Sequence, residues 1–253
     1  MRAGWTPIAH TGEQRQERSL VYDIARFIGS PFSYDLLGFE NVQTSGPAIY
    51  TANHLGPLGP IEVLISVPMR FYIWAIAEMT DYDRAPEYLF HDFVQPVLHL
   101  GGSLGMLFST GLTKVAVRFL RELGVISIDR FGGSSIDGFR QSLNLLMEGK
   151  NLLIFPEDPA RGRDLESQMT PFKKGFARLG EQYYARTRRP LRFCPLAVHA
   201  DSYRVQVGAS VAYNWMGDPR HERLRLKSVL EANIRKMVLE MAMDHYIGIP
   251  LHH

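Results

Sequence analysis

The sequence predicts an α/β fold with a mostly parallel central sheet flanked by helices, and three observations carry that expectation. Short apolar runs recur at 47–52 (PAIYTA), 70–77 (RFYIWAIA), 124–128 (GVISI), 151–155 (NLLIF) and 192–200 (RFCPLAVHA). Longer segments between them repeat their apolar residues every three or four positions, the period of a helix. Strands joined by crossovers long enough to hold a helix are the pattern of a parallel sheet. Composition agrees: 253 residues, 45% hydrophobic and 21% charged, supply enough apolar material for a substantial core.

Taken in chain order, SLVYDIARFIGSPF places Leu20, Ile24, Phe27 and Ile28 on one helical side, next to Arg15, Arg18 and Arg26. An amphipathic N-terminal segment (1–45) that lies on a membrane surface is expected from that pattern. The preceding MRAGWTPIAHTGEQRQERS lacks the apolar core of a secretory signal. PAIYTA then runs into NHLGPLGP, a strand ending in a turn that displays His54. Phe93 to Thr113 carries no formal charge and is long enough to span a bilayer. Gln95, Pro96, His99 and four glycines would leave polar groups unsatisfied in lipid, so a buried or interfacial segment is expected instead. IDGFRQSLNLLMEGK sets Phe139, Leu143, Leu146 and Met147 on one helical face and stops at Gly149. From Pro219 a stripe of Leu226, Val229, Leu230, Ile234, Met237, Val238 and Met241 reads as a core-packing helix, with a membrane or partner surface as the alternative. The expected organisation is an α/β domain over 46–215 with an insertion near 81–113, followed by an amphipathic helix over 216–253.

Charge and cysteine content exclude some functions. A formal charge of +2, with no basic-aromatic interleaving, gives no reason to expect nucleic acid. The single Cys194 allows no internal disulfide, which suits a reducing compartment. No HExxH, paired-cysteine or other metal-ligand spacing occurs, and no cofactor is expected.

The polar blocks that follow the apolar runs carry the chemistry. After NH at 53–54 come GVISIDR (124–130), FPEDPARGRD (155–164) with PFKKG (171–175), and CPLAVH (194–199). In a parallel sheet, ligands collect where strands end, so these turns are expected to converge on one crevice. Over roughly 45–212 the ordered blocks resemble the lysophosphatidate acyltransferase family of glycerophospholipid acyltransferases. That family carries NHxxxxD, GxxxxDR-like, FPEGTRS-like and apolar-Pro-apolar blocks in the same order.

The resemblance implies a base mechanism. The family's His takes the proton from an acceptor hydroxyl as it attacks an acyl thioester, and its Asp orients the imidazole. It points to His54 as the catalytic residue, and to Asn53, Arg130, Glu157, Arg161 and Lys173 as substrate-binding residues, with Glu157 positioning a glycerol phosphate. The acyl donor, acyl-CoA or acyl carrier protein, would be a substrate rather than a cofactor. Arg163 is an alternative to Arg161, because the segment before PFKKG is longer than in the family, and Lys174 adds charge suited to phosphate.

Several positions depart from the family pattern. Gly59 stands where the motif has its Asp, and loss of the equivalent charge in a serine protease lowers turnover about ten-thousandfold. Glu62 is the next acid, but an ideal helix would carry it about two turns away from His54. A backbone carbonyl is another group that orients histidine rings. Asp158 and Pro159 replace a Gly and a Thr, Ala77 replaces the Lys before Glu78, and the stretch from His54 to Asp129 is longer, with the excess around 81–113.

Two function classes follow. One is an acyltransferase acting on a lysophospholipid-like hydroxyl, cytoplasmic and peripheral at a membrane. The other is a catalytically impaired relative that binds a lipid or a protein partner. A third class, a hydrolase, rests on GGSLG (101–105), which fits the GxSxG elbow with Ser103 as nucleophile. It requires a strand running directly into that turn, and Pro96 and His99 argue against one.

Overall fold

A computed structural model describes residues 20–54, 59–128 and 134–248. The strands are β1 (Asp35–Leu37), β2 (Ala48–Ala52), β3 (Phe71–Ile76), β4 (Ile126–Ile128), β5 (Asn151–Ile154), β6 (Arg192–His199), β7 (Arg204–Val207) and β8 (Val211–Ala212). They form one sheet in the order β1-β7-β6-β2-β5-β3-β4, with β8 on β6 beside β7. Pairings from β6 through β2, β5 and β3 to β4 are all parallel, as is β1 with β7. Only β7 and β8 run antiparallel to β6. The mostly parallel α/β fold expected from the alternation is therefore present.

The helices are α1 (Leu20–Gly29), α2 (Gly59–Ser66), α3 (Ala77–Thr80), α4 (Ala85–Leu89), α5 (Gln95–Leu98), α6 (Gly102–Glu122), α7 (Ser134–Met147), α8 (Arg178–Thr187) and α9 (Pro219–Gly248). Both faces of the sheet are covered, and the period-two alternation of the strands decides which residue serves which face. Tyr50, Leu153, Cys194 and Leu196 face Tyr22 of α1 and Val63 and Leu64 of α2. Ile49, Leu152, Ile154 and Phe193 face Leu143 and Leu146 of α7, Leu179 of α8, and Leu226 and Leu230 of α9. Farther along α9, Ile234, Met237, Val238 and Met241 close over Met169, Phe172 and Ala197. The stripe from Pro219 thus packs the core, the simpler of its two readings.

Residues 35–37, expected within the N-terminal helical segment, instead form β1 at the sheet edge, paired with β7. The segment expected as an insertion, 81–113, is a helical excursion made of α4, a π-helical turn over Phe90–Val94, α5 and the start of α6. Gly105 is required inside α6, because a Cβ there would lie 2.3 Å from the Leu100 carbonyl oxygen. GGSLG follows α5 and opens α6, with no strand before it, so the geometry of a nucleophile elbow is absent and the hydrolase reading falls.

Among the described residues, no helix is long and apolar enough to cross a membrane. α1 lies against α2 and α6. On α1, Ile24, Phe27 (81% exposed) and Ile28 face outward, and on α6 so do Leu104, Leu107, Phe108 and Val115. The α6 residues recur at spacings of three, four and seven, which puts them on one helical face.

Candidate active site

β2 and β5 are adjacent and parallel, with Thr51 opposite Ile154, so both chains leave the sheet at the same edge. The first exits as Asn53-His54 and the second as Phe155-Pro156-Glu157. Asn53 is buried, and its side chain pairs with the backbone of Val198: Nδ2 donates to the carbonyl at 2.9 Å and Oδ1 accepts the N–H at 2.8 Å. The carboxamide thereby continues the β2–β6 ladder one step past the end of β2. Its effect is to fix the point from which His54 departs. The His54 side chain is exposed, with its ring edge-to-face on Phe155 at 5.4 Å.

Glu157 lies beside His54, as the shared edge predicts, but its carboxylate is occupied by the protein itself. Oε1 accepts the backbone N–H of His54 at 2.6 Å. Oε2 accepts both the N–H of Thr170 at 2.6 Å and its hydroxyl at 2.9 Å. One anion therefore joins the end of β2 to both limbs of the loop over 156–173, and such charge-assisted bonds are stronger than neutral ones. Backbone bonds from Asp158 to Pro171 and from Lys173 to Pro156 draw the two limbs together.

Outside the loop, α9 supplies a second fastening. Asp164 accepts from the N–H and hydroxyl of Ser167, and Arg235 Nη1 lies 3.0 Å from its carboxylate. Glu231 accepts the N–H of Phe172 at 2.9 Å and pairs with Lys227 at 2.8 Å. The Ser167 bonds, aided by Arg235, hold the Asp164 carboxyl below the usual range. Burial works against ionisation of Glu231, but Lys227 and the Phe172 N–H outweigh it, and its carboxyl also lies low.

Lys173 and Arg161, both exposed, converge on Asp158 at 3.3 and 3.9 Å. Desolvation opposes ionisation of Asp158, yet the Ala160 N–H and Lys173 prevail and lower its pKa. Two expected phosphate ligands thus share a built-in anion at the position where the family pattern has Gly. Arg163 and Lys174 are exposed on the same loop. Arg130 and Asp129 lie outside the described residues. Gly59 is buried and opens α2. Glu62, the candidate replacement acid, accepts from the Tyr34 hydroxyl at 2.8 Å. Burial, reinforced by Glu62, pushes the Tyr34 pKa up.

Thr170, Ser167, Glu231 and Arg235 were not singled out by the sequence. Thr170 directly precedes PFKKG, a local hint, whereas the α9 pair acts from about sixty residues away, Phe172 to Glu231 being 59 positions. His199 ends β6 at the same sheet edge, where its Nδ1 lies 2.8 Å from the Ser202 hydroxyl. Partial burial lowers its pKa, although Asp201 acts in the opposite sense.

No protein-family model matches the chain, and no curated protein matches it significantly. Among solved structures it is similar to the 1-acyl-sn-glycerophosphate (LPA) acyltransferase PlsC from Thermotoga maritima, at 14% identity and a TM-score of 0.51. The match covers 87% of this chain and 79% of that one. At that identity the likeness establishes a shared fold: the chain has the α/β architecture of the Thermotoga acyltransferase.

Proposed function

We propose that the chain transfers a fatty acyl group from acyl-CoA or acyl carrier protein to the hydroxyl of a lysophospholipid, with His54 as general base. The observation that carries the reading is the placement of His54 beside Glu157 at the ends of adjacent parallel strands, on a fold shared with a lysophosphatidate acyltransferase. In the step, imidazole accepts the acceptor's hydroxyl proton as its oxygen bonds to the thioester carbonyl carbon. The carbon–sulfur bond then breaks, and the proton leaves with the thiolate. Asn53 and Glu157 support this chemistry by fixing the His54 backbone, while Lys173, Arg161 and Arg130 supply positive charge for a phosphate. The exposed apolar faces of α1 and α6 support a peripheral position on a cytoplasmic membrane surface, where acyl chains are found.

Two observations favour a second reading, an impaired relative that binds a lipid or protein partner without turnover: Gly59 offers no carboxylate, and Asp158 draws on the charge of Lys173 and Arg161. A thioester assay across a panel of lyso-acceptors separates the two. Under the first reading His54→Ala lowers turnover by about two orders of magnitude or more with the folded state intact, the scale of a positioned base. Equal turnover in wild type and variant would remove His54 from the mechanism.

A further inference from the structure

A cleft of about 420 Å³, part of its wall apolar from Ala77 and Val125, opens at the ends of β3 and β4 beside Asp81, Arg84, Arg121 and Ser127. β5 separates β3 from β2, so this cleft lies two to three strand spacings, roughly 10–15 Å, along the same edge from His54. Its cations are Arg84, in the 81–113 segment, and Arg121, in the last turn of α6, rather than residues of the motif blocks. Arg121 ends α6 with one guanidinium nitrogen donating to the Thr80 carbonyl at 2.9 Å and its plane over the Tyr82 ring at 4.7 Å. That leaves most of its donors free in a group already held in place. Arg84 is tethered from behind by Glu78 at 3.3 Å. The Thr80 hydroxyl lies 3.1 Å from the Ala77 carbonyl and 3.0 Å from the Ser127 oxygen, which ties α3 to β4 at the rim of the cleft.

The balance of charge separates this cleft from a simple phosphate site. Arg84 and Arg121 are matched by Glu78 and Asp81, so the surroundings are electroneutral but dipolar. A phosphate monoester, near two negative charges, would be repelled by the Asp81 carboxylate. The several phosphates of coenzyme A would meet the same obstacle. A group with one phosphodiester charge and one ammonium matches the arrangement, and electrostatic complementarity of this kind sets specificity more than raw affinity.

We propose that the cleft seats the headgroup of a zwitterionic lysophospholipid of the phosphoethanolamine type, with Arg121 and Arg84 on the phosphodiester and Asp81 on the ammonium. The acceptor role rests on the acyltransferase reading; the binding does not.

The test is calorimetric titration of the full chain with two water-soluble headgroups, glycerophosphoethanolamine and glycerol 3-phosphate, alongside turnover on the corresponding lysolipids. Glycerophosphoethanolamine binds roughly tenfold more tightly, the scale of one charge-assisted hydrogen bond. Asp81→Asn abolishes that preference while its side-chain oxygen still accepts the Asp83 N–H, a bond of 2.8 Å in the native chain. Arg84→Gln weakens both ligands, and it leaves the Thr80 contact of Arg121 in place should Arg121→Gln unfold the chain. Tighter binding of glycerol 3-phosphate, or a preference that survives Asp81→Asn, overturns the proposal. Turnover on lysophosphatidate without glycerophosphoethanolamine binding overturns it and leaves the acyltransferase reading standing. Binding of glycerophosphoethanolamine with no turnover on any acceptor upholds it and removes that reading.

Discussion

Replacing Glu157 with Gln changes one oxygen into an amide nitrogen and removes a charge, without altering the length of the side chain. Three donors point at the native carboxylate: the N–H groups of His54 and Thr170, both at 2.6 Å, and the Thr170 hydroxyl at 2.9 Å. However the new amide lies, at least one of those backbone donors faces a second donor and loses its acceptor. A hydrogen bond to a charged group is worth about 1.5–3 kcal/mol net, and the surviving bonds fall to the strength of neutral ones. Glu157 is only half-buried, so water recovers part of the loss, and the expected destabilisation is about 2–3 kcal/mol. For a chain of this size that corresponds to roughly 4–12 °C in Tm. Thr170→Val removes the hydroxyl bond alone and costs about 0.5–1.5 kcal/mol. Urea unfolding followed by circular dichroism measures both, with an unchanged m-value as the check that the midpoint reports stability. A Glu157→Gln protein within about 0.5 kcal/mol of wild type, below the smallest of these terms, would refute the clamp.

Three further outcomes are expected. Gly59→Asp restores the motif carboxylate at the first turn of α2, where the helix dipole favours an anion, and raises kcat at least tenfold in the thioester assay; unchanged kcat in a folded variant shows that the site does not lack this acid. Asp164 and Glu231 have lowered folded pKa values, so the stability they add is present above about pH 4–4.5 and is lost as pH falls through those lower values. Arg235→Gln therefore lowers Tm at pH 7, the deficit shrinks toward about pH 2.5, and a constant deficit across thermal melts would contradict the linkage. Wild type floats with anionic liposomes at low salt and Leu107→Ser/Phe108→Ser does not; flotation of both would move the membrane contact away from α6.

The central strands were legible because each is buried on both faces and reads as a continuous apolar run. PAIYTA contains Ala48–Ala52, and NLLIF contains Asn151–Ile154. β1 and β8 were not, being two or three residues long with exposed positions that only their neighbours make into strands. RVQV of β7 alternates half-buried and buried residues, a short period-two signal that went unread between the turns around it. At the site, the meeting of His54 with Glu157 followed from the motif order and the parallel sheet. What the motif could not convey was the occupation of Glu157. Thr170 lies 13 residues beyond it in sequence, and no local pattern marks a carboxylate that will be filled by backbone donors. The compensation of Lys173 by Asp158 was hidden in the same way, since a loop's charge pairs depend on how it folds back.

The loop over 156–173 is fastened at its base by Glu157 and along its outer limb by α9, while Leu165 near its tip is 89% exposed. These attachments stand in series from the tip of the loop to its base. At the tip, Gln168 Nε2 donates to the Leu165 carbonyl at 2.7 Å, and Arg235 holds the neighbouring Asp164. From there the limb runs to Thr170 and, through one carboxylate, to the backbone of His54. Strain applied at the tip therefore has a bonded route to the residue that carries the imidazole, whose ring rests on Phe155.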